Sequence, residues 1–270
     1  MVAFPVTSRE KTKLKVQVIG LGTVGLPTAI HISRFFDVVG YDINPEVKKR
    51  ASERLRVESS IVDADIYVVT VSTGIKPNGK PDMSTVYEVC GKISKIQPNA
   101  LVSIESTVSV GTCRKVAENF ELKYLVHCPH RYWAGDSAKH GVVQTRVLGA
   151  LNKESLEGGR HFYSKLKIPL HITPSLEVAE LTKIAENAYR FVQIAFAEEL
   201  KMLCESRGLS LNELRKACNT KWNIEILEAR DGIKGHCLPK DIKYLANLGK
   251  APLLRGAIQA DRQYKKVVGG

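Results

Sequence analysis

Several protein classes are excluded by what this chain lacks. No apolar run approaches the ~20 residues that a membrane-spanning helix needs, so no membrane partner is expected. The first fourteen residues carry charges and lack the apolar core of a signal peptide; residues 1–14 read as a flexible leader. The six cysteines show no paired spacing, which argues for free thiols and a cytoplasmic setting. No Cys/His cluster has metal-ligand spacing, so no metal site is expected. Aromatic residues make up 7% of the chain and nowhere interleave with basic residues as a base-stacking surface would require. Lys and Arg exceed Asp and Glu by 40 to 28, a net charge of +12. These cations are scattered, with short clusters only at Lys48-Lys49-Arg50 and Lys265-Lys266. The surplus therefore suits a small anionic cofactor or substrate better than a nucleic acid.

What is present is an α/β pattern followed by a mostly helical one. A length of 270 residues allows one large domain or two smaller ones. Apolar runs at 16–20, 38–42, 66–71, 101–105, 124–128 and 146–149 read as strands, with helix-like segments between several of them, as a parallel doubly wound sheet requires. The first run leads into Gly20-Leu21-Gly22-Thr23-Val24-Gly25-Leu26-Pro27. In such a Gly-x-Gly-x-x-Gly turn, the first glycine permits the bend and the second admits a pyrophosphate. The third lets helix and strand pack closely. The second run ends in Asp42, about 20 residues on, where ribose hydroxyls are held. Its carboxylate repels a 2′-phosphate, favouring NAD over NADP. These residues define an expected NAD-binding domain over 15–172.

Residues 173–270 form the second expected domain. Ser175 reads as the cap of a long helix running to about Arg207, where Gly208 stops it. Val178, Leu181, Ala185, Ala188, Val192, Ala195 and Phe196 supply an apolar stripe, while Lys183, Asn187 and Arg190 form a polar one. So much apolar face on one helix predicts a homodimer built around it. Shorter helices are expected at 210–218, 241–248 and 253–264. Between the first two lies Gly235-His236-Cys237-Leu238-Pro239-Lys240-Asp241. This Gly-rich turn presents Cys237, whereas the other five cysteines fall in helix-like or strand-like stretches.

These motifs, taken in order, resemble the UDP-glucose/GDP-mannose dehydrogenase family. The glycine turn is similar to that family's opening motif. Val71-Ser72-Thr73 followed by Gly79-Lys80-Pro81-Asp82-Met83-Ser84 is similar to its Thr-Pro loop and Gly-x-Pro-Asp-Leu-Ser element, with Gly74 where proline is usual. Glu105-Ser106-Thr107-Val108 resembles its Glu-Ser-Thr turn, and 179–190 its central helix. Gly235–Asp241 resembles its catalytic cysteine loop. The resemblance implies a Rossmann-type sheet followed by a long central helix and a small helical domain. It implies NAD bound by Gly20, Gly22, Thr23, Val24, Gly25, Asp42, Val71, Ser72, Thr73, Ser106 and Thr107. The implied chemistry is oxidation of a primary alcohol to a carboxylate in two steps, with a place in polysaccharide biosynthesis. Cys237 is the implied nucleophile, Lys183 and Asn187 the oxyanion partners, and Asp241 with Thr107 the holders of water.

The chain also departs from that pattern. His130 in Cys128-Pro129-His130-Arg131 stands where the family carries a catalytic glutamate, and is expected to serve as a base. Arg131, Lys221 and Lys234 are the expected substrate contacts, Lys221 in place of an arginine and Lys234 in place of a glycine. The stretch between Asp42 and Asp63 is shorter than in the family, and Gly270 lies near where the family begins a third, nucleotide-binding domain. Three readings follow: a two-step dehydrogenase acting on an anionic small molecule or nucleotide sugar, with or without a separate subunit completing the site; a non-catalytic NAD-binding scaffold subunit; and a single-step hydroxyacid dehydrogenase.

Overall fold

A computed structural model describes residues 13–269. The leader expected over 1–14 therefore lies almost wholly outside the described residues. The described chain forms two compact units. The first runs up to Gly74 and resumes over Pro81–Thr182; the second comprises Ile75–Lys80 and everything from Lys183 onward.

In the first unit, β1 (Lys15–Ile19), α1 (Gly25–Ile32), β2 (Asp37–Tyr41), α2 (Pro45–Ser52), β3 (Arg56–Val57) and β4 (Ile66–Val69) come first in order. A short hairpin of β5 (Gly74–Ile75) and β6 (Pro81–Asp82) follows, its tip counted with the second unit. Then come α3 (Ser84–Ile96), β7 (Leu101–Ile104), α4 (Thr112–Asn119), β8 (Tyr124–His127), β9 (Arg146–Ala150), α5 (Lys153–Lys165) and β10 (Leu170–Ile172). Eight strands form one sheet in the order β10-β9-β8-β7-β4-β1-β2-β3. Every pairing in it is parallel except β8 with β9. Because β4 and β7 are buried throughout, they read as continuous apolar runs, as strands covered on both faces do. Val16, Val18, Leu26, Ile32, Val68, Leu148 and Phe162 belong to the core between sheet and helices.

The sheet's register sets up the site. Ile19 pairs with Tyr41 and Val69, Val69 with Ile104, and Ile104 with His127. The residues after these strand ends, Gly20, Asp42, Thr70, Glu105 and Cys128, therefore line one edge. That carboxyl edge is where open α/β sheets bind ligands. Cys128 is buried just beyond β8 rather than in it.

The long helix α6 spans Leu176–Glu205, and its first N–H groups include that of Val178, which donates to the Ser175 hydroxyl at 3.3 Å. Its first turns belong to the first unit, where Glu180 accepts the backbone N–H groups of Gly111 (2.6 Å) and Cys113 (2.7 Å) at the start of α4. A carboxylate satisfies the orphan N–H groups of a helix start and complements its dipole. Arg114 pairs with Glu177 beside it at 2.6 Å.

The second unit contains the rest of α6 with α7 (Leu211–Cys218), α8 (Cys237–Ala246) and α9 (Pro252–Val268). Phe191, Ala188, Ala195, Ile233, Ile242 and Ala260 form its core. The apolar stripe read along α6 divides between faces. Ala188 and Ala195 are buried here, whereas Phe196 is exposed. Among the described residues, no helix is long and apolar enough to cross a membrane.

Candidate active site

The glycine turn leaves room where a dinucleotide's phosphates would lie. Gly20 has φ +91, a conformation that L side chains rarely adopt, and a Cβ there would stand 2.8 Å from the Thr70 carbonyl oxygen. A Cβ on Gly25 would collide with the Gly20 carbonyl oxygen, so the third glycine lets α1 pack against the turn. Around Gly22, by contrast, nothing lies within 4 Å of an added Cβ. That is the open face of the cradle, at the start of α1, with Thr23 exposed and Val24 half-buried beside it. Asp42 accepts Leu21 N–H at 2.7 Å and Asn44 N–H at 2.8 Å. Both oxygens are thereby fixed at the strand end, and each keeps a lone pair for a ribose hydroxyl.

Two loops beyond β4 and β7 are tied to each other. Thr73 donates its hydroxyl to the Thr107 carbonyl at 2.7 Å, and Ser106 donates to the Val71 carbonyl at 2.7 Å. These side chains thus hold the Val71-Ser72-Thr73 and Glu105-Ser106-Thr107 loops together at the carboxyl edge.

Behind the second loop lies a buried ionic network that sequence reading misses. Glu105 pairs with Arg146 at 3.0 Å and with His130, and accepts the Tyr163 hydroxyl at 2.6 Å. Burial alone would raise the Glu105 carboxyl, but the charges of His130 and Arg146 outweigh it and hold it at about 2. The His130 Nε2 also lies 3.0 Å from the Thr28 hydroxyl on α1. His130 is therefore part of the first unit's interior. Arg131 is held at the loop surface, donating to the Thr145 carbonyl at 2.8 Å.

The second unit gathers a separate cluster. Cys237 is exposed and is the first residue of α8. The helix begins earlier than its sequence suggests, because proline is tolerated in a first turn where its missing N–H has no intrahelical partner. Pro239 occupies such a position. One turn beyond Cys237, Asp241 is fully buried. One of its oxygens accepts from Lys240 Nζ at 2.5 Å and the other from Asn187 Nδ2 at 2.5 Å. Lys240 is itself buried, with its ammonium 4.2 Å from the centre of the Tyr244 ring. Lys183 is half-buried one helical turn before Asn187 on α6. The structure thus joins Asn187 and Asp241 directly and adds Lys240, which the sequence offers only as the lysine of Pro-Lys-Asp. Lys221 and Lys234 are exposed, Lys234 lying 3.5 Å from Asp231. No group of three His, Cys, Asp or Glu side chains among the described residues could hold a metal ion.

Known proteins with this arrangement are similar along most of the chain. Residues 45–167 match the NAD binding domain of the UDP-glucose/GDP-mannose dehydrogenase family, and residues 177–260 match its central domain. The UDP-N-acetyl-D-mannosamine dehydrogenase of Methanococcus maripaludis is 32% identical over 255 residues, covering 84% of this chain and 60% of that protein. The same enzyme of Escherichia coli K12 is 30% identical, covering 90% of this chain and 67% of its own length. The structure of the Pyrococcus horikoshii UDP-D-ManNAc dehydrogenase superposes with a TM-score of 0.83 at 29% identity, over 93% of this chain and 69% of that one. The chain therefore spans about 60% of the first relative's length. With a fixed acid at the end of β2, a glycine cradle before α1 and an exposed cysteine opening α8, matched in order by both domains, the chain belongs to the UDP-glucose/GDP-mannose dehydrogenase family.

Proposed function

We propose that this chain carries the catalytic groups of an NAD-dependent dehydrogenase that oxidises the primary alcohol of a nucleotide sugar to a carboxylate in two steps, through Cys237. The observation that carries this reading is the α8 cluster. An exposed thiol stands at a helix N-terminus, one turn before a buried aspartate held by Asn187 and Lys240. UDP-N-acetyl-D-mannosamine, the substrate named for the relatives above, is the first candidate substrate.

The residues suit this sequence of events. NAD, when bound, accepts the hydride lost in each oxidation. The alcohol gives up a proton and a hydride and becomes an aldehyde. The Cys237 thiolate adds to its carbonyl carbon, and the oxygen takes the negative charge. Lys183 and an N–H of Asn187 are the groups that would stabilise that oxyanion. Loss of the second hydride leaves a thioester. Water then adds to the thioester, the C–S bond breaks, and the thiol returns with release of a carboxylate. Asp241, held by two donors, would orient that water. Thr107 enters the scheme through its motif alone, and His130 only through its place where the family carries a glutamate.

The test is the amount of NADH formed per nucleotide sugar consumed, with UDP-N-acetyl-D-mannosamine and UDP-glucose as substrates, in wild type and Cys237→Ser. A ratio near two in wild type is expected, with the serine variant losing at least about 100-fold in rate. A wild-type ratio of one, or a ratio of two retained by the variant, rejects the covalent scheme.

A further inference from the structure

The second unit contains a cleft of about 420 Å³ lined by Phe191 of α6, Pro239, Ile242 and Lys243 of α8, and Ile258, Asp261, Arg262, Lys265 and Lys266 of α9. Its volume falls in the range of small-molecule sites. Lys183, Asn187, Cys237 and Asp241 do not line it.

The charges along this cleft are unbalanced. Asp261 is already committed, accepting Ile233 N–H at 2.8 Å and Lys265 Nζ at 2.8 Å. Lys265 also donates to the Ile233 carbonyl at 2.7 Å. That pair fastens α9 to the segment before α8 and neutralises itself. Lys243, Arg262 and Lys266 are exposed, and no carboxylate among the described residues pairs with any of them. Arg262 and Lys266 stand four residues apart on α9, so they share one helix face and repel each other. Like charges held together without an acid form an anion site, since a bound anion removes the repulsion. Between these cations the surface is apolar. Phe191 and Ile242 lie beneath the cleft at 2% and 0% exposure, so the apolar surface open to a ligand is that of Pro239 and Ile258, both half-buried at its walls. Apolar walls of this kind favour a flat or apolar group attached to the anion.

We propose that this α8–α9 cleft is a second ligand site, separate from the Cys237 cluster, for a nucleoside diphosphate or a molecule containing one. The phosphates are held by Lys243, Arg262 and Lys266, and the base lies against Pro239 and Ile258. The proposal does not depend on the oxidative chemistry of Cys237.

The test uses ADP, with inorganic pyrophosphate as the charge-only probe. Binding is measured by equilibrium dialysis on the full chain, with NAD saturating to fill the dinucleotide cradle. Wild type is compared with Arg262→Ala/Lys266→Ala; both side chains are exposed, so folding is unaffected. The expected result is one ADP bound per chain, weakened at least tenfold in the double variant, with pyrophosphate at least tenfold weaker than ADP in wild type. Binding that survives in the double variant, or no ADP bound beside NAD, overturns the site. Pyrophosphate binding as tightly as ADP overturns the base-holding walls and with them the proposed ligand class.

Discussion

At the scale of single residues, the cysteines separate cleanly. Cys90, Cys113, Cys128 and Cys204 are buried, Cys218 is half-buried and Cys237 is exposed. Burial pushes the Cys90 and Cys128 thiols up to about 12, and burial together with the Glu180 carboxylate pushes the Cys113 thiol well up too. A thiol held protonated and out of reach does not alkylate. Brief iodoacetamide treatment with peptide mapping should therefore label Cys237 first, Cys218 next, and the four others only after unfolding. Lys183→Ala should slow the labelling of Cys237 if the lysine's charge reaches the sulfur. Equal rates at Cys237 and Cys204 would remove the main support for a covalent route. The exposure of Cys237 was legible in its flanking glycine and proline. The partners of Asp241 were less so, because Lys240 beside an aspartate reads as an ordinary surface pair until burial is known. Nothing local announces Glu105 and Arg146 as a pair, for 41 residues separate them.

Among the elements, long apolar strands and long helices were readable because their periodicity is set by burial. The two-residue strands β3, β5 and β6 were not, since so few residues carry no period. Strand β10 is missed for a similar reason, its three residues being half-buried or exposed. Helices start earlier than the sequence predicts where proline intervenes: α9 begins at Pro252 itself. Helix α6 also conceals a charge in its packing. Glu198 is fully buried, and neither carboxylate oxygen has a hydrogen-bond partner. Burial and the nearby Asp261 charge raise it from 4.5 to about 7, with Lys265 opposing. Its folded-state value lies above its unfolded one, so the folded chain holds a proton there that the unfolded chain has released. Stability from this group is fully present below about pH 4.5 and declines as pH rises to about 7. Glu198→Gln, which imitates the protonated form, should be more stable than wild type at pH 8 and equal to it near pH 4.5. Thermal unfolding of both proteins across that range measures the difference. Parallel curves would mean that Glu198 titrates as an ordinary carboxyl.

For the whole molecule, the order of motifs along the sequence anticipated a parallel sheet with its ligand edge, because strands, glycine turn and terminal acid must coincide for a dinucleotide. Assembly is a different matter, since it depends on which face of α6 is left uncovered. The sequence stripe mixed buried and exposed positions, and the structure separates them. Tyr189, Phe196 and Leu203 are exposed at 67%, 53% and 52%. They recur every seven residues, so they share one helix face over about 21 Å. Val178 and Leu181 are exposed nearer the helix start. An apolar ridge repeating at seven residues matches its own copy when two helices pack with a slight crossing angle. Two-fold dimers are also the commonest closed assemblies. We expect a homodimer joined through this ridge. Sedimentation velocity should give a dimer at micromolar concentration, and Tyr189→Asp/Phe196→Asp should give a monomer with unchanged circular dichroism, since both side chains face solvent in the isolated chain. A wild-type protein that stays monomeric, or a double variant that remains dimeric, would mean that the ridge does not join two copies.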